Sequence, residues 1–250
     1  MLIDSHCHLL SSEYEDVDKE IKSAISSGVK KIIINGINLK TSIEAVNLSN
    51  RYKEVYAAVG IGPEEVVNVT KDEIKEIDNL CKLDKVIGVG EIGLDYYWTT
   101  ETKDMQVKVF KDMLKIAQKH NLPVIVHNRN ATNDIYKYLK EYNVNGIMHC
   151  FSGSVETARE FIKLGFLIGI GGVITFKNAK KLKEVVNAID LENMSLETDS
   201  PYLSPEPNRG KKNNPSNLKF IVKKISEIKH CSEEKVIFKT GENVCTKFDL

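Results

Sequence analysis

Short apolar runs rich in β-branched residues recur along this chain, each followed by a longer segment with helical periodicity. The runs are Leu2–Asp4, Lys31–Ile34, Val55–Val59, Val86–Val89, Val124–Val126, Gly146–Met148, Phe166–Ile170 and Met194–Glu197. They lack the in–out alternation of a half-solvated strand, so they read as strands buried on both faces of a parallel sheet. In the intervening segments the apolar residues fall three or four apart. Val107, Phe110, Leu114 and Ala117 make one such stripe, Ile21, Ala24 and Ile25 another, and Ile135, Tyr138, Leu139 and Tyr142 a third, each the buried face of a helix. Gly28 and Gly165 follow two of these helices as C-terminal caps. Pro123 stands just before a strand, where proline is tolerated.

Eight β-then-α units in a row predict an α/β fold of the closed (β/α)8 TIM-barrel type. Residues 1–250 then form a single barrel domain. A C-terminal helical extension is expected over Ser216–Lys229 and Ser232–Phe248. The rival is an open, doubly wound sheet, but no GxGxxG turn opens the first helix. One long irregular segment, Ser204 to Pro215, precedes the last two helices, and long loops in compact domains tend to be functional.

The residues that end these strands are polar. They are His6 and His8 on the first, Glu91 on the fourth, His127 on the fifth, His149 on the sixth and Asp199 on the eighth. In a barrel all such ends converge on one face. Imidazole and carboxylate are ligands for divalent transition metals, and the period of two along a strand puts His6 and His8 on the same side. Six ligands exceed what one ion with open positions needs. They suit two ions ~3.5–4 Å apart, which would activate a bridging hydroxide. Glu91 is then the bridging carboxylate, and Asp199 both holds an ion and accepts a proton from the attacking water. His120 and His230 read differently, as helix C-terminal histidines placed where the dipole favours them. Cys7 and Cys150 read as small buried apolar residues, with Cys7 turned into the barrel wall.

Composition narrows the setting. The 250 residues carry 35 Lys+Arg and 35 Asp+Glu, a balance that argues against a globally basic nucleic-acid binder but not against a local basic patch. Five cysteines without CxxC spacing suggest free thiols in a reducing compartment. With no apolar leader and no run of ~18 apolar residues, a cytoplasmic protein with no membrane partner is expected. The oligomeric state is not encoded legibly, and a monomer fits.

Several blocks together resemble the TatD family of metal-dependent deoxyribonucleases, within the amidohydrolase-like barrels. They are Asp4–His8, Gly88–Tyr96, Pro123–Arg129, His149–Gly153, Leu196–Tyr202, Arg209–Pro215 and Asn243–Phe248, in family order and spacing from residue 1 to about 248. The resemblance implies the same six ligands and two divalent cations, Zn, Mn or Mg. It also implies hydrolysis of DNA phosphodiester bonds, often as a 3′–5′ exonuclease, with single strands or strand ends as substrate. One departure is visible. Where the family's third strand ends Gly-x-His-Pro-His, this chain reads Gly60-Ile-Gly-Pro-Glu64, so Gly62 and Glu64 replace both histidines. On this resemblance the departure would leave the metal ligands in place and bear on substrate contacts and on proton donation to the leaving group, for which Glu64 or Glu65 could substitute.

Arg129 lies two residues beyond His127, on the same side of its strand, and suits a bidentate clamp on phosphate. Arg209, Lys211 and Lys212 form a local basic patch on the long loop, fit for a nucleic-acid backbone. Tyr96, Tyr97 and Trp98 follow the fourth strand, either as stacking rings for unpaired bases or as packing on the barrel rim. The alternative activity is that of an amidohydrolase-like enzyme on a small ester, amide or phosphotriester, since barrel and ligand set serve many chemistries. A nucleic-acid-associated binding protein with a structural metal is a third reading, set against the four-ligand closure usual for structural sites.

Overall fold

The computed structural model describes all 250 residues. Eight strands form one sheet in the order β1-β2-β3-β4-β5-β6-β7-β8, the (β/α)8 order expected. They are β1 (Ile3–Cys7), β2 (Lys31–Asn35), β3 (Val55–Val59), β4 (Val86–Asp95), β5 (Val124–Arg129), β6 (Gly146–Met148), β7 (Phe166–Ile170) and β8 (Met194–Leu196). The helices are α1 (Val17–Ser26), α2 (Leu39–Arg51), α3 (Lys71–Leu80), α4 (Lys103–His120), α5 (Thr132–Tyr142), α6 (Val155–Lys163), α7 (Lys180–Ala188), α8 (Leu218–Lys229) and α9 (Glu233–Phe248). None is long and apolar enough to cross a membrane. The chain divides into two compact units, one of Met1–Ile33 with His149–Leu250, the other of Ile34–Met148.

In the first unit the two ends of the strand order meet. His8 N–H donates to Ser200 O (2.7 Å) and Asp199 N–H to His6 O (3.0 Å), tying the chain after β8 to β1. Ile3, Ile21, Phe161, Phe166, Ile168, Ile221 and Ile225 are buried in this unit, each worth roughly 1.5–3 kcal/mol of apolar burial. Helix α9 is part of the same packing. Asn243 donates to Leu191 O (2.7 Å) and Met194 O (2.8 Å), and a Cβ at Gly241 would stand 2.0 Å from Met1 O. Only a residue without a side chain lets the last helix lie against the first residue.

The second unit holds the longest strand. β4 runs six residues past the apolar segment Val86–Val89, and β5 continues to Arg129. The pattern breaks because Gly90, Glu91, Gly93 and Asp95 interrupt the hydrophobic run, yet the pairing continues, with Gly93 opposite His127 and Asp95 opposite Arg129. Gly93 sits at φ +151°, and a Cβ there would come within 2.0 Å of His127 O, so glycine is required for the two strands to approach. Helix boundaries follow local chemistry. Asn38 with Thr41 and Thr70 with Glu73 make reciprocal capping boxes at α2 and α3. Gly28 and Gly165 take positive φ as expected, and Asn121 and Asn143 do the same after α4 and α5, a role asparagine shares with glycine.

Candidate metal centre

Four of the six expected ligands lie together in the first unit. His6 and His8 leave the end of β1 on one side, with Nε2 atoms 3.1 Å apart. The His149 ring stacks on that of His6 with centroids 3.8 Å apart. Asp199 Oδ1 stands 3.4 Å from His6 Nε2 and 3.8 Å from His8 Nε2. Ligand atoms of His6, His149 and Asp199 all fall within 4.8 Å of one another. Three imidazoles and a carboxylate facing one point are the donor chemistry of a transition-metal site, and these residues fit a divalent cation. Asp199 is in the left-handed region at φ +56°, a conformation that costs a non-glycine residue about 1–2 kcal/mol. Its carboxyl stays below the usual range; burial pushes it up, but the charge of His149, the His6 hydrogen bond and the charges of His6 and His8 outweigh that.

The turn that carries Asp199 is held from beneath and from the side. Asp4, two residues before His6, accepts from Thr198 N–H (3.0 Å), Thr198 Oγ1–H (2.5 Å) and His6 N–H (3.3 Å). Burial raises its pKa to about 7 against the pull of those bonds. Asn213, fully buried, donates to Thr198 O and Tyr202 O (both 2.8 Å) and accepts from Asn214 N–H and Asn217. Glu197 is also fully buried. One of its oxygens accepts from Cys150 N–H (2.5 Å) and lies 3.5 Å from His149 Nδ1.

The other two ligands pair in the second unit. His127 Nδ1 lies 2.9 Å from Glu91 Oε1, and its Nε2 lies 3.0 Å from Asp95 Oδ2. Burial would push the imidazole down, but the hydrogen bonds to Asp95 and Glu91, and their charges, hold it up at about 10. Asp95 is itself fixed at both ends: its N–H donates to Gln106 Oε1 (2.8 Å), while Gln106 Nε2 donates back to Asp95 O (2.9 Å). Gln106 is therefore buried on the otherwise apolar face of α4. An ion-binding histidine backed by a carboxylate is the usual way a ring is kept in one tautomer.

The remaining expectations divide. Arg129 is at the end of β5, its guanidinium stacked on Tyr97. Cys7 is fully buried, with its thiol on Ile33 O (3.6 Å). His120 and His230 are at the ends of α4 and α8. Cys150 departs from the small-buried expectation, being half-buried at φ +46°, because its N–H must turn to Glu197. In the long loop, Arg209 lies over Phe176 and 4.0 Å from Glu206, Lys211 is exposed, and Lys212 donates to Glu13 O over the Tyr14 ring. Glu64 is exposed, whereas Glu65 accepts from Asn38 at the start of α2. Asp4 and Glu197 close the predicted first and eighth strands and Asp95 closes the observed β4, but none of the three is singled out as a site residue from sequence. Their signal is the period of two, which puts each on the same strand face as a ligand.

A (β/α)8 sheet with histidines and carboxylates at its strand ends defines a class, the metal-dependent hydrolases of TIM-barrel architecture. The comparisons agree. A sequence profile described as TatD related DNase matches residues 3–249. The chain is 41% identical over 254 residues to the uncharacterized metal-dependent hydrolase YabD of Bacillus subtilis, covering 100% of both chains. It is 33% identical to the uncharacterized metal-dependent hydrolase YcfH of Escherichia coli K12, covering 100% of this chain and 96% of that one. The crystal structure of YjjV, a TatD homolog from E. coli K12, superposes with a TM-score of 0.93 at 28% identity, covering 100% and 98%. The chain belongs to the TatD family.

Proposed function

We propose that this metal-dependent hydrolase cleaves phosphodiester bonds of DNA, with His6, His8, Glu91, His127, His149 and Asp199 as ligands to two divalent cations. The observation that carries the reading is the donor set itself: a His6–His8–His149–Asp199 cluster in one unit and a Glu91–His127 pair in the other, with Glu91 and His127 in the C-terminal halves of β4 and β5 rather than at the strand ends expected, and His149 and Asp199 just past β6 and β8. Such cations, when bound, supply Lewis acidity to a water and to the oxygens of an in-line displacement. The chain does the rest. Glu91 would be among the residues that hold the cations. Asp199, held below the usual carboxyl range, is ionised at neutral pH and takes the proton of the attacking water. Asp95 and Glu197 keep the His127 and His149 rings aimed. Arg129, two residues past His127, presents its N–H edge to a phosphate oxygen.

The test is hydrolysis of defined single- and double-stranded oligonucleotides by metal-free protein and by protein loaded from a panel of Zn, Mn and Mg, with products sized. Metal-dependent shortening of single strands from the 3′ end is expected, and it disappears in Glu91→Ala. Untouched DNA across the panel, with rapid turnover of small esters or phosphotriesters, would overturn this reading. It would favour the amidohydrolase-like alternative, for which the Gly62 and Glu64 positions leave room.

A further inference from the structure

Three consecutive aromatic residues leave the end of β4, and they do not share a fate. Tyr96 is anchored: its hydroxyl donates to Asp134 (2.8 Å) and Lys103 lies over its ring. Tyr97 and Trp98 are presented to solvent, 54% and 68% exposed. Rings of this size ordinarily bury most of their area, so packing on the rim does not account for them. The two rings meet edge to face at 4.9 Å. The Arg129 guanidinium carbon lies 3.8 Å from the Tyr97 centroid and 5.0 Å from that of Trp98, and its charge helps hold down the Asp95 carboxyl across the strand pair. A guanidinium stacked by its face keeps its N–H edge available for an anion.

The cluster is also wired to a metal ligand. Tyr97 N–H donates to Asp95 Oδ1 (2.9 Å), while Asp95 Oδ2 holds His127 Nε2. Arg129 is two residues from His127 on the same strand, about 6.6 Å along it. Apolar ring faces, a guanidinium stacked on them and a hydrogen-bonded link through Asp95 to His127 are what a nucleotide needs: a face for the base and a fork for its phosphate.

We propose that Tyr97, Trp98 and Arg129 form a nucleotide subsite beside His127, in which an unpaired base stacks on the rings and its phosphate pairs with the guanidinium. The subsite rests on the DNA-hydrolysis reading and sharpens it. A base within a duplex has both faces covered by its neighbours, so only a single strand or a frayed end offers one to stack.

Trp98 is the sole tryptophan of the chain, so its emission reports on its own subsite. The experiment titrates the metal-loaded full chain with phosphorothioate-linked oligothymidylate, which resists cleavage, while Trp98 emission is followed. Saturable quenching is expected from the single strand, and little from a blunt duplex or an abasic strand of equal charge. Tyr97→Ala should weaken single-strand binding roughly tenfold. Arg129→Met should lower kcat/KM for a single strand by a similar factor relative to that for a small phosphodiester. An abasic strand that quenches as strongly as oligothymidylate overturns the base-stacking subsite. Single strands cleaved without any change in Trp98 emission also overturn it, and leave the hydrolytic reading standing. Quenching with no cleavage of any strand supports the subsite and removes the hydrolytic reading. Neither binding nor cleavage removes both.

Discussion

Asp95 uses its two carboxylate oxygens for different purposes: one fixes the turn that presents Tyr97, the other holds the His127 ring. An aspartate and an asparagine have the same shape here, so the substitution isolates the proton. With asparagine the amide N–H faces His127 Nε2, which must then accept, and the ring proton moves to Nδ1, the nitrogen facing Glu91. That nitrogen then has no lone pair for a metal. Asp95→Asn should therefore keep the fold, by circular dichroism, and lower metal affinity about 10- to 100-fold in calorimetric titration. Unchanged affinity would mean that Asp95 serves only the turn. The residue is hard to find from sequence because its partners are remote or mutually hidden. Four of the six expected ligands stand out as histidines at or near apolar strands, but Gln106 looks like one polar position on an amphipathic helix until its two hydrogen bonds to the Asp95 backbone are seen.

Elements are tied to one another by groups that local pattern does not reveal. α3 and α4 are joined by Asp78, which accepts from Lys119 (2.6 Å) and pairs with His120 (2.8 Å). Burial pushes the Asp78 carboxyl up, but the two hydrogen bonds and the two charges prevail and its pKa is lowered. A carboxyl depressed in the folded state adds stability above its unfolded pKa and loses it as the pH falls through the folded value. Asp78→Asn should thus cost about 0.5–1 kcal/mol at pH 7. In urea unfolding the gap should start to narrow below about pH 4, the ordinary carboxyl value, and close once Asp78 is protonated in both states; a gap independent of pH would assign the loss to packing. Element identity was legible almost throughout, since β-branched runs and helical stripes mark all eight units. Strand length was not. The glycines of β4 read as a break in the apolar pattern, yet Gly93 is the residue that lets β4 and β5 pair as far as Asp95 and Arg129. The loop after β8 was legible as a loop, but not as one clasped by Asn213, because that side chain's acceptors, Thr198 O and Tyr202 O, lie 15 and 11 positions back.

At the scale of the whole molecule, the zero net charge of the sequence hides a local arrangement. Arg129 keeps an anion-ready edge, while Lys212 and Arg209 are occupied with the carbonyl of Glu13 and the ring of Phe176. Loop composition alone could not separate these cations, because which of them is engaged depends on neighbours brought from the β1–α1 and β7–α7 connections. The contact of Gly241 with Met1 bears on a different question, whether this chain needs the order in which it is written. Met1 lies against α9 at Gly241, and the seven steps from Gly241 to the helix end at Phe248 span about 10 Å, a gap that about six flexible residues bridge. Joining the two ends and reopening the chain at Lys82–Asp84, an exposed connection just before β4, should give a circular permutant that still binds metal, as calorimetry would show. In such a protein β4 would be the first strand made and β3 the last, and the cycle of eight would have no privileged beginning.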